Sequence, residues 1–235
     1  MNIIDIEFDV YTDTPKGRDP DTNSPTLRKY HQILWSKSLP NGVKFVLDVN
    51  TPKLLHHKSE LGDFLLSSDS IGHTYSKVKS MSGIVNQIPT EDISSFFSTC
   101  STIGAFIIFP ANKVNNKMTI NGSRGLNPSI KDRFDLTLEC IRRFYNNESS
   151  PLFETFERYS AFFDLFEDFK GYTDFFLLND LVEENHSSIK FFLPFESFDL
   201  SPLPSDVEEY QVYKKHLMSF VRARNQRIRV ATSQT

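Results

Sequence analysis

Residues 102–109 read Thr-Ile-Gly-Ala-Phe-Ile-Ile-Phe, and Pro110 closes the run. A near-continuous apolar stretch of this length, stopped by proline, predicts a β-strand covered on both faces at the centre of a sheet. Helices are expected on either side. Thr90 opens one over 91–99, with Glu91 and Asp92 in its first turn, where acids favour the helix dipole. Beyond Pro110 a polar loop, 111–125, runs into a helix over about 128–145. There Ile130, Phe134, Leu138, Ile141 and Tyr145 recur at helical spacing.

Further out the punctuation is local. Ile4, Ile6, Phe8 and Val10 alternate with polar residues, the period of a half-buried strand. A Pro-, Gly- and Asp-rich stretch, 11–24, reads as a long loop. Ser24 and Pro25 are an N-cap and a first helical residue, followed by Leu27, Tyr30, Ile33 and Leu34 on one face. Leu39-Pro40-Asn41-Gly42 ends that helix in a turn, and 43–49 follows as a strand. Residues 53–80 read as short strands or irregular structure, with the Ser-rich 67–82 loop-like. Ser150-Pro151 opens a helix with Phe153, Phe156, Phe163 and Phe166 inward, which Gly171 stops. Ile189–Leu193 reads as a strand. Ser205-x-x-Glu208 is a capping box for an amphipathic C-terminal helix over 205–228, with a frayed tail. Together these predict a single domain over 1–235. Its class is α+β, a mixed or antiparallel central sheet with helices mainly on one face and a Phe-rich core.

The composition agrees. The chain has 235 residues, 22 of them Phe, and a net charge of −4. So many aromatics exclude a disordered chain, and two cysteines, Cys100 and Cys140, are too few for a disulfide scaffold. Both sit in apolar segments and read as reduced core thiols. No apolar run suffices to span a membrane, and the acidic N-terminus lacks the positive start of a signal peptide, so a cytoplasmic protein is expected. Charge is segregated. Residues 16–147 hold 17 Lys/Arg against 11 Asp/Glu, residues 148–210 hold 3 against 15, and 211–235 hold 6 against none. A basic, His-bearing section next to an acidic one suits an anionic partner, or two parts that pack on each other.

Three clusters bear chemistry. Asn121-Gly122-Ser123-Arg124-Gly125 precedes the expected helix start, where free N–H groups and the helix dipole favour an anion. Arg124 forks onto a phosphate in that reading, with Lys113, Lys117, Asn121, Asp132 and Arg133 nearby; the plain alternative is a turn with Arg124 on a local carboxylate. His56-His57-Lys58-Ser59 is the second cluster. Neighbours on a strand face opposite ways, so one histidine at most enters a site. His57 or His31 is the candidate acid or base. Ser68, Asp69 and His73 lie within a seven-residue stretch, but without a nucleophile-elbow motif they read as turn residues before a hydrolase triad. No metal motif and no cofactor fingerprint occurs, so none is expected.

The strings SPTLRKYHQILWSKSLPNG (24–42), LLHHKSELGDFLLSSDSIGHTY (54–75), TIGAFIIFPANK (102–113), TINGSRGLNPSIKDRFDLTLECIRRFY (119–145) and FEDFKGYTDFFLLNDLV (166–182) resemble an uncharacterised bacterial family, a domain of unknown function, over about 9–228. The resemblance implies a bacterial cytosolic protein with one undivided domain, and it implies no activity. The residues themselves favour a protein that binds a phosphate-bearing ligand, RNA or a nucleotide, with metal-independent phosphodiester cleavage as the expected chemistry if it is catalytic. A toxin- or defence-type ribonuclease fits that description. The other reading is a protein–protein interaction module with a charge-segregated surface.

Overall fold

Three strands, β1 (Leu55–Ser59), β2 (Gly62–Ser70) and β3 (Phe106–Pro110), form an antiparallel sheet in the order β1-β2-β3. The computed structural model describes residues 4–233. Around the sheet run α1 (Pro20–Asn23), α2 (Pro25–Trp35), α3 (Ser82–Val85), α4 (Thr90–Cys100), α5 (Ile120–Leu126), α6 (Phe134–Tyr145), α7 (Phe153–Glu157), α8 (Ser160–Phe163), α9 (Phe169–Phe175) and α10 (Val207–Ser233). The class is α+β, and the core is rich in Phe.

β1 and β2 are a hairpin turned at Glu60-Leu61, with Leu55 opposite Leu66 and His57 opposite Phe64. The period of two then assigns the faces. Leu66 and Ser68 point to one side and Asp69 to the other. α2 meets the Ser68 side through His31, and α5 meets the Asp69 side through Arg124. Helices therefore approach the sheet from both sides.

β3 is fully buried, as its apolar run predicts, yet it is an edge strand and β2 is the centre. The reason lies far away in sequence. Arg224 of α10 donates to the carbonyls of Gly104 (2.9 Å) and Phe106 (2.8 Å), and Gly104 N–H donates to Asn225 Oδ1 at 2.8 Å. A helix thus takes up the first carbonyl of the edge strand and the one two residues before it. Gly104 is required here, since a Cβ would come within 2.5 Å of Asn225 Oδ1.

Several expected elements differ. Ile4, Ile6 and Val10 are buried but lie in turns, not a strand; Val10 N–H is satisfied by Ser101 O at 3.0 Å. The 43–49 segment is extended but holds only bridges, Ser38 to Lys44 and Asp48 to His56. Ile189–Leu193 likewise makes one bridge, Val182 to Ile189. The Ser-rich stretch read as loop includes the end of β2, because Ser67–Ser70 pair with Phe106–Phe109. The helix expected at 128–145 starts only at Phe134, and the 111–125 loop contains α5. Gly171 lies inside α9, while the break falls at Glu167, which has a positive φ of 67°. The C-terminal cap is shifted by one residue. Asp206 accepts from Glu209 N–H, and Glu209 reaches back to Ser205 N–H, both at 2.8 Å. The helix also continues through the tail to Ser233.

Candidate functional site

A cleft of about 870 Å³ opens between the 11–21 segment, the chain leaving β2, the end of α4 and the 125–132 turn. Each wall has a local cause. Asp13 accepts from Ser24 Oγ (2.6 Å) and Thr26 N–H (2.8 Å), fastening the first segment to the start of α2. Asp19 caps α1 by accepting from Asp21 N–H at 3.0 Å. Gly72 lets the chain leaving β2 lie flush on α4, since a Cβ there would meet Cys100 Sγ at 2.5 Å. Two tyrosines of α10 hold that chain from behind. Tyr213 Oη donates to His73 O at 2.9 Å and Tyr210 Oη to Thr74 O at 2.6 Å. Tyr75 Oη in turn donates to Lys131 O at 2.8 Å, joining two walls. Tyr75, Lys131 and Asp132 all have positive φ, at 54°, 47° and 61°. Such residues carry strain that the surrounding structure must over-determine.

Beneath the cleft lies a buried ion pair. Arg124 is fully buried and pairs with Asp69, while its Nε donates to Thr137 Oγ1 at 2.9 Å. Burial pushes the Asp69 carboxyl up and Arg124 pulls it back, leaving it raised. His73 lines the cleft near this pair, with Nε2 4.0 Å from Asp132 Oδ2. Burial lowers the His73 pKa against the pull of Asp132, and its Nε2 has no hydrogen-bond partner. Asp21 lines the same cleft. Burial, with Asp69 and Asp19 adding to it, holds its carboxyl well above the usual carboxylate range, and Ser68 pulls against that. Asp21 Oδ1 is shielded from solvent and unpartnered.

The rim differs in character. Arg18, Lys77 and Lys131 are exposed there, without an ion pair among the described residues. Tyr11 and Phe97 form an exposed aromatic pair with centroids 4.9 Å apart.

Of the residues expected from sequence, the fold brings His73 and Asp132 to this cleft and places the Asp69–Arg124 pair beneath it. Ser68 and Asp69 point to opposite faces of β2, so they form no triad with His73. The Arg124 segment is helix, not a loop before a helix, and its guanidinium is taken up by Asp69 rather than free for a phosphate. Arg133 is likewise buried, on Asp135 and the carbonyls of Pro202 (2.9 Å) and Leu193 (3.3 Å). Asn121 Nδ2 donates to Ser67 Oγ and Ser68 O, both at 3.2 Å. Lys113 and Lys117 are exposed outside the cleft.

The two candidate histidines lie outside the cleft. His31 is fully buried between Trp35 and Ser68, and burial lowers its pKa to about 3. His57 stacks on Phe45 (4.1 Å between ring centroids), with Nε2 2.8 Å from Ser59 Oγ, and burial lowers its pKa as well. His56 points the other way, 2.7 Å from Asp63, which Lys58 also approaches at 3.5 Å.

Asp21, Arg18, Lys77, Lys131, Tyr11 and Phe97 carried no motif. The one signal for three of them was the length of the polar 11–24 stretch, since long loops in compact domains tend to be functional.

No group of three or more His, Cys, Asp or Glu side chains among the described residues is arranged to hold a metal ion. No helix among them is long and apolar enough to cross a membrane.

Fold and site together define an α+β protein with a polar, strain-bearing cleft beside a three-stranded sheet. The chain belongs to a family of unknown function, DUF6994, whose family model matches residues 4–228. No curated protein and no solved structure matches it.

Proposed function

We propose that the cleft binds a nucleotide, a ligand with a phosphate at one end and a flat base at the other. The observation that carries this is the rim, where three unpaired cations and an exposed aromatic pair border one cavity. Phosphate needs cations or N–H donors, and Arg18, Lys77 and Lys131 supply the cations. A base needs an aromatic face, and Tyr11 and Phe97 supply it; such stacking is worth about 1–3 kcal/mol per base. The acceptors inside, His73 Nε2 and the Asp132 carboxylate, suit ribose hydroxyls or base N–H groups. The volume of about 870 Å³ lies within the usual range for small-ligand sites.

The test is calorimetric titration of the protein with nucleoside monophosphates, and with orthophosphate as the comparison. Binding is expected to weaken about tenfold or more in Lys77→Ala/Lys131→Ala, and to fall with added salt. Tyr11→Ala is expected to weaken nucleotide but not orthophosphate. Absence of nucleotide binding at millimolar ligand, or binding that ignores these substitutions, overturns the reading. The surface should then be probed for protein partners.

A further inference from the structure

The His73–Asp132 gap is chemically unusual. With its pKa lowered, the imidazole is neutral at pH 7, and Ser70 O lies where it favours a proton on the ring. His73 Nε2 has no hydrogen-bond partner and stands 4.0 Å from Asp132 Oδ2; with the ring proton on Nδ1, toward Ser70 O, both are acceptors. A hydroxyl lying between them has one proton and donates it to one of the two.

Asp21, which lines the same cleft, has the complementary property. Its Oδ1 is shielded and unpartnered, and its neighbours Asp69 and Asp19 disfavour a second negative charge. The cleft is therefore lined by both a proton acceptor and a proton donor. Neither needs a ligand to set its protonation state.

We infer that His73 and Asp21 serve as base and acid in the transesterification of a ribonucleotide phosphodiester bound in the cleft. This rests on the nucleotide reading above. The ribose 2′-hydroxyl sits between His73 Nε2 and Asp132, and His73 takes its proton. The freed oxygen attacks phosphorus, and the bond from phosphorus to the 5′-oxygen breaks. Asp21 gives its proton to that leaving oxygen. The products are a 2′,3′-cyclic phosphate and a 5′-hydroxyl. One proton is taken and one is given, and nothing is oxidised or reduced. Asp132 is a positioning residue for His73. Tyr213 and Tyr210 hold the backbone on which His73 stands.

The experiment uses ribodinucleoside monophosphates and their 2′-deoxy analogues, in buffer with EDTA, with products separated by chromatography. The ribo compounds are expected to yield the cyclic phosphate, and the deoxy analogues to bind without reacting. His73→Ala and Asp21→Asn are expected to lower kcat about a hundredfold or more. Affinity for the deoxy analogue should fall far less than kcat in both, which a collapsed cleft would not allow. His73→Gln, closer in shape, repeats the test if the alanine variant melts early. His56→Ala, on the far hairpin, should match wild type. Deoxy binding without ribo cleavage overturns this inference and leaves the nucleotide reading standing. No binding of either removes both. Cleavage that survives His73→Ala, or that EDTA abolishes, removes the assignment of the base.

Discussion

Trp35 fixes the tautomer of His31. The indole N–H can only donate, and it lies 3.0 Å from His31 Nδ1, which must therefore accept. The imidazole proton sits on Nε2, which donates to Ser68 Oγ at 3.0 Å. That direction is opposite to what a serine nucleophile requires, because His31 has no free lone pair to take the Ser68 proton. Instead Ser68 keeps its own hydrogen for the neighbouring Asp21 carboxyl. A buried polar chain links the core aromatic to the cleft wall, and His31 is a spacer in it, not a base.

A pH prediction follows from that burial. The folded pKa of His31 is about 3, against 6.5 when the ring is free. Below 6.5 the unfolded chain takes up a proton that the folded one refuses. Stability is then fully present above 6.5 and falls by about 1.4 kcal/mol per pH unit between 6.5 and 3. Urea unfolding at pH 7 and pH 5 should show His31 costing about 2 kcal/mol over that interval. His31→Gln cannot titrate, yet its amide can accept from Trp35 and donate to Ser68. Its loss between the two pH values should be smaller than that of wild type by that amount. Parallel curves would show that His31 is not the group refusing the proton.

How much of this was legible depends on the range of the cause. α2 could be read because Ser24 and Pro25 encode their own cap, and Ser24 Oγ does accept from Leu27 N–H at 3.0 Å. The alternation at Ile4, Ile6 and Val10 correctly signals burial, but burial is not pairing. Here Tyr30 Oη accepts from Asp5 N–H at 3.1 Å, and Ser101 O from Val10 N–H, in place of a strand neighbour. The apolar run of β3 promised cover on all sides without saying that Arg224 would provide part of it. The charged residues near the cleft were recognisable by type. Which were free and which already held was not, because Arg124 meets Asp69 across more than fifty residues of chain.

Arg224 offers a stability prediction. It is fully buried, lies 5.8 Å over the Trp35 ring, and donates to the carbonyls of Gly104, Phe106 and Phe176. Burial pulls its pKa down. Arg224→Met keeps most of the volume but leaves three carbonyls without this donor, at about 1–3 kcal/mol for each one left unsatisfied. Relief from burying a charge offsets part of that, so a net loss of about 2–4 kcal/mol is expected. Arg224→Lys should lose a similar amount, because one ammonium cannot span the fork. Denaturant midpoints measure both, and a lysine variant as stable as wild type would contradict the role given to the guanidinium.

Gly125 separates stability from binding. A Cβ there would stand 3.1 Å from Asp132 Oδ2 and 3.4 Å from Oδ1, so the carboxylate must shift by a few tenths of an ångström. Gly125 lies in the last turn of α5, where alanine is favoured over glycine by less than the roughly 1 kcal/mol of a helix interior. Gly125→Ala should hold or raise the melting temperature while weakening nucleotide binding in the cleft. Loss of both together would mean that the glycine serves packing alone.

The Asp69–Arg124 pair gives the last prediction, and it needs a double-mutant cycle. Arg124→Met removes the guanidinium and leaves Asp69 largely buried with its main compensating charge gone. Breaking one partner of such a pair costs about 3–5 kcal/mol. Asp69→Asn leaves Arg124 uncompensated between the Phe109 and Phe134 rings, 5.6 Å from each, and should be comparably harmful. The double variant removes both charges and should recover part of the loss, giving a coupling of about 1–3 kcal/mol. The sign of the pH effect distinguishes the singles. In Arg124→Met the Asp69 pKa, already raised by burial, rises further, so protonation relieves the variant and its deficit shrinks from pH 8 to pH 5. In Asp69→Asn no such group remains, and the deficit should not shrink in that way. Additive losses with no pH difference would show that the two side chains support the floor of the cleft by shape rather than by charge.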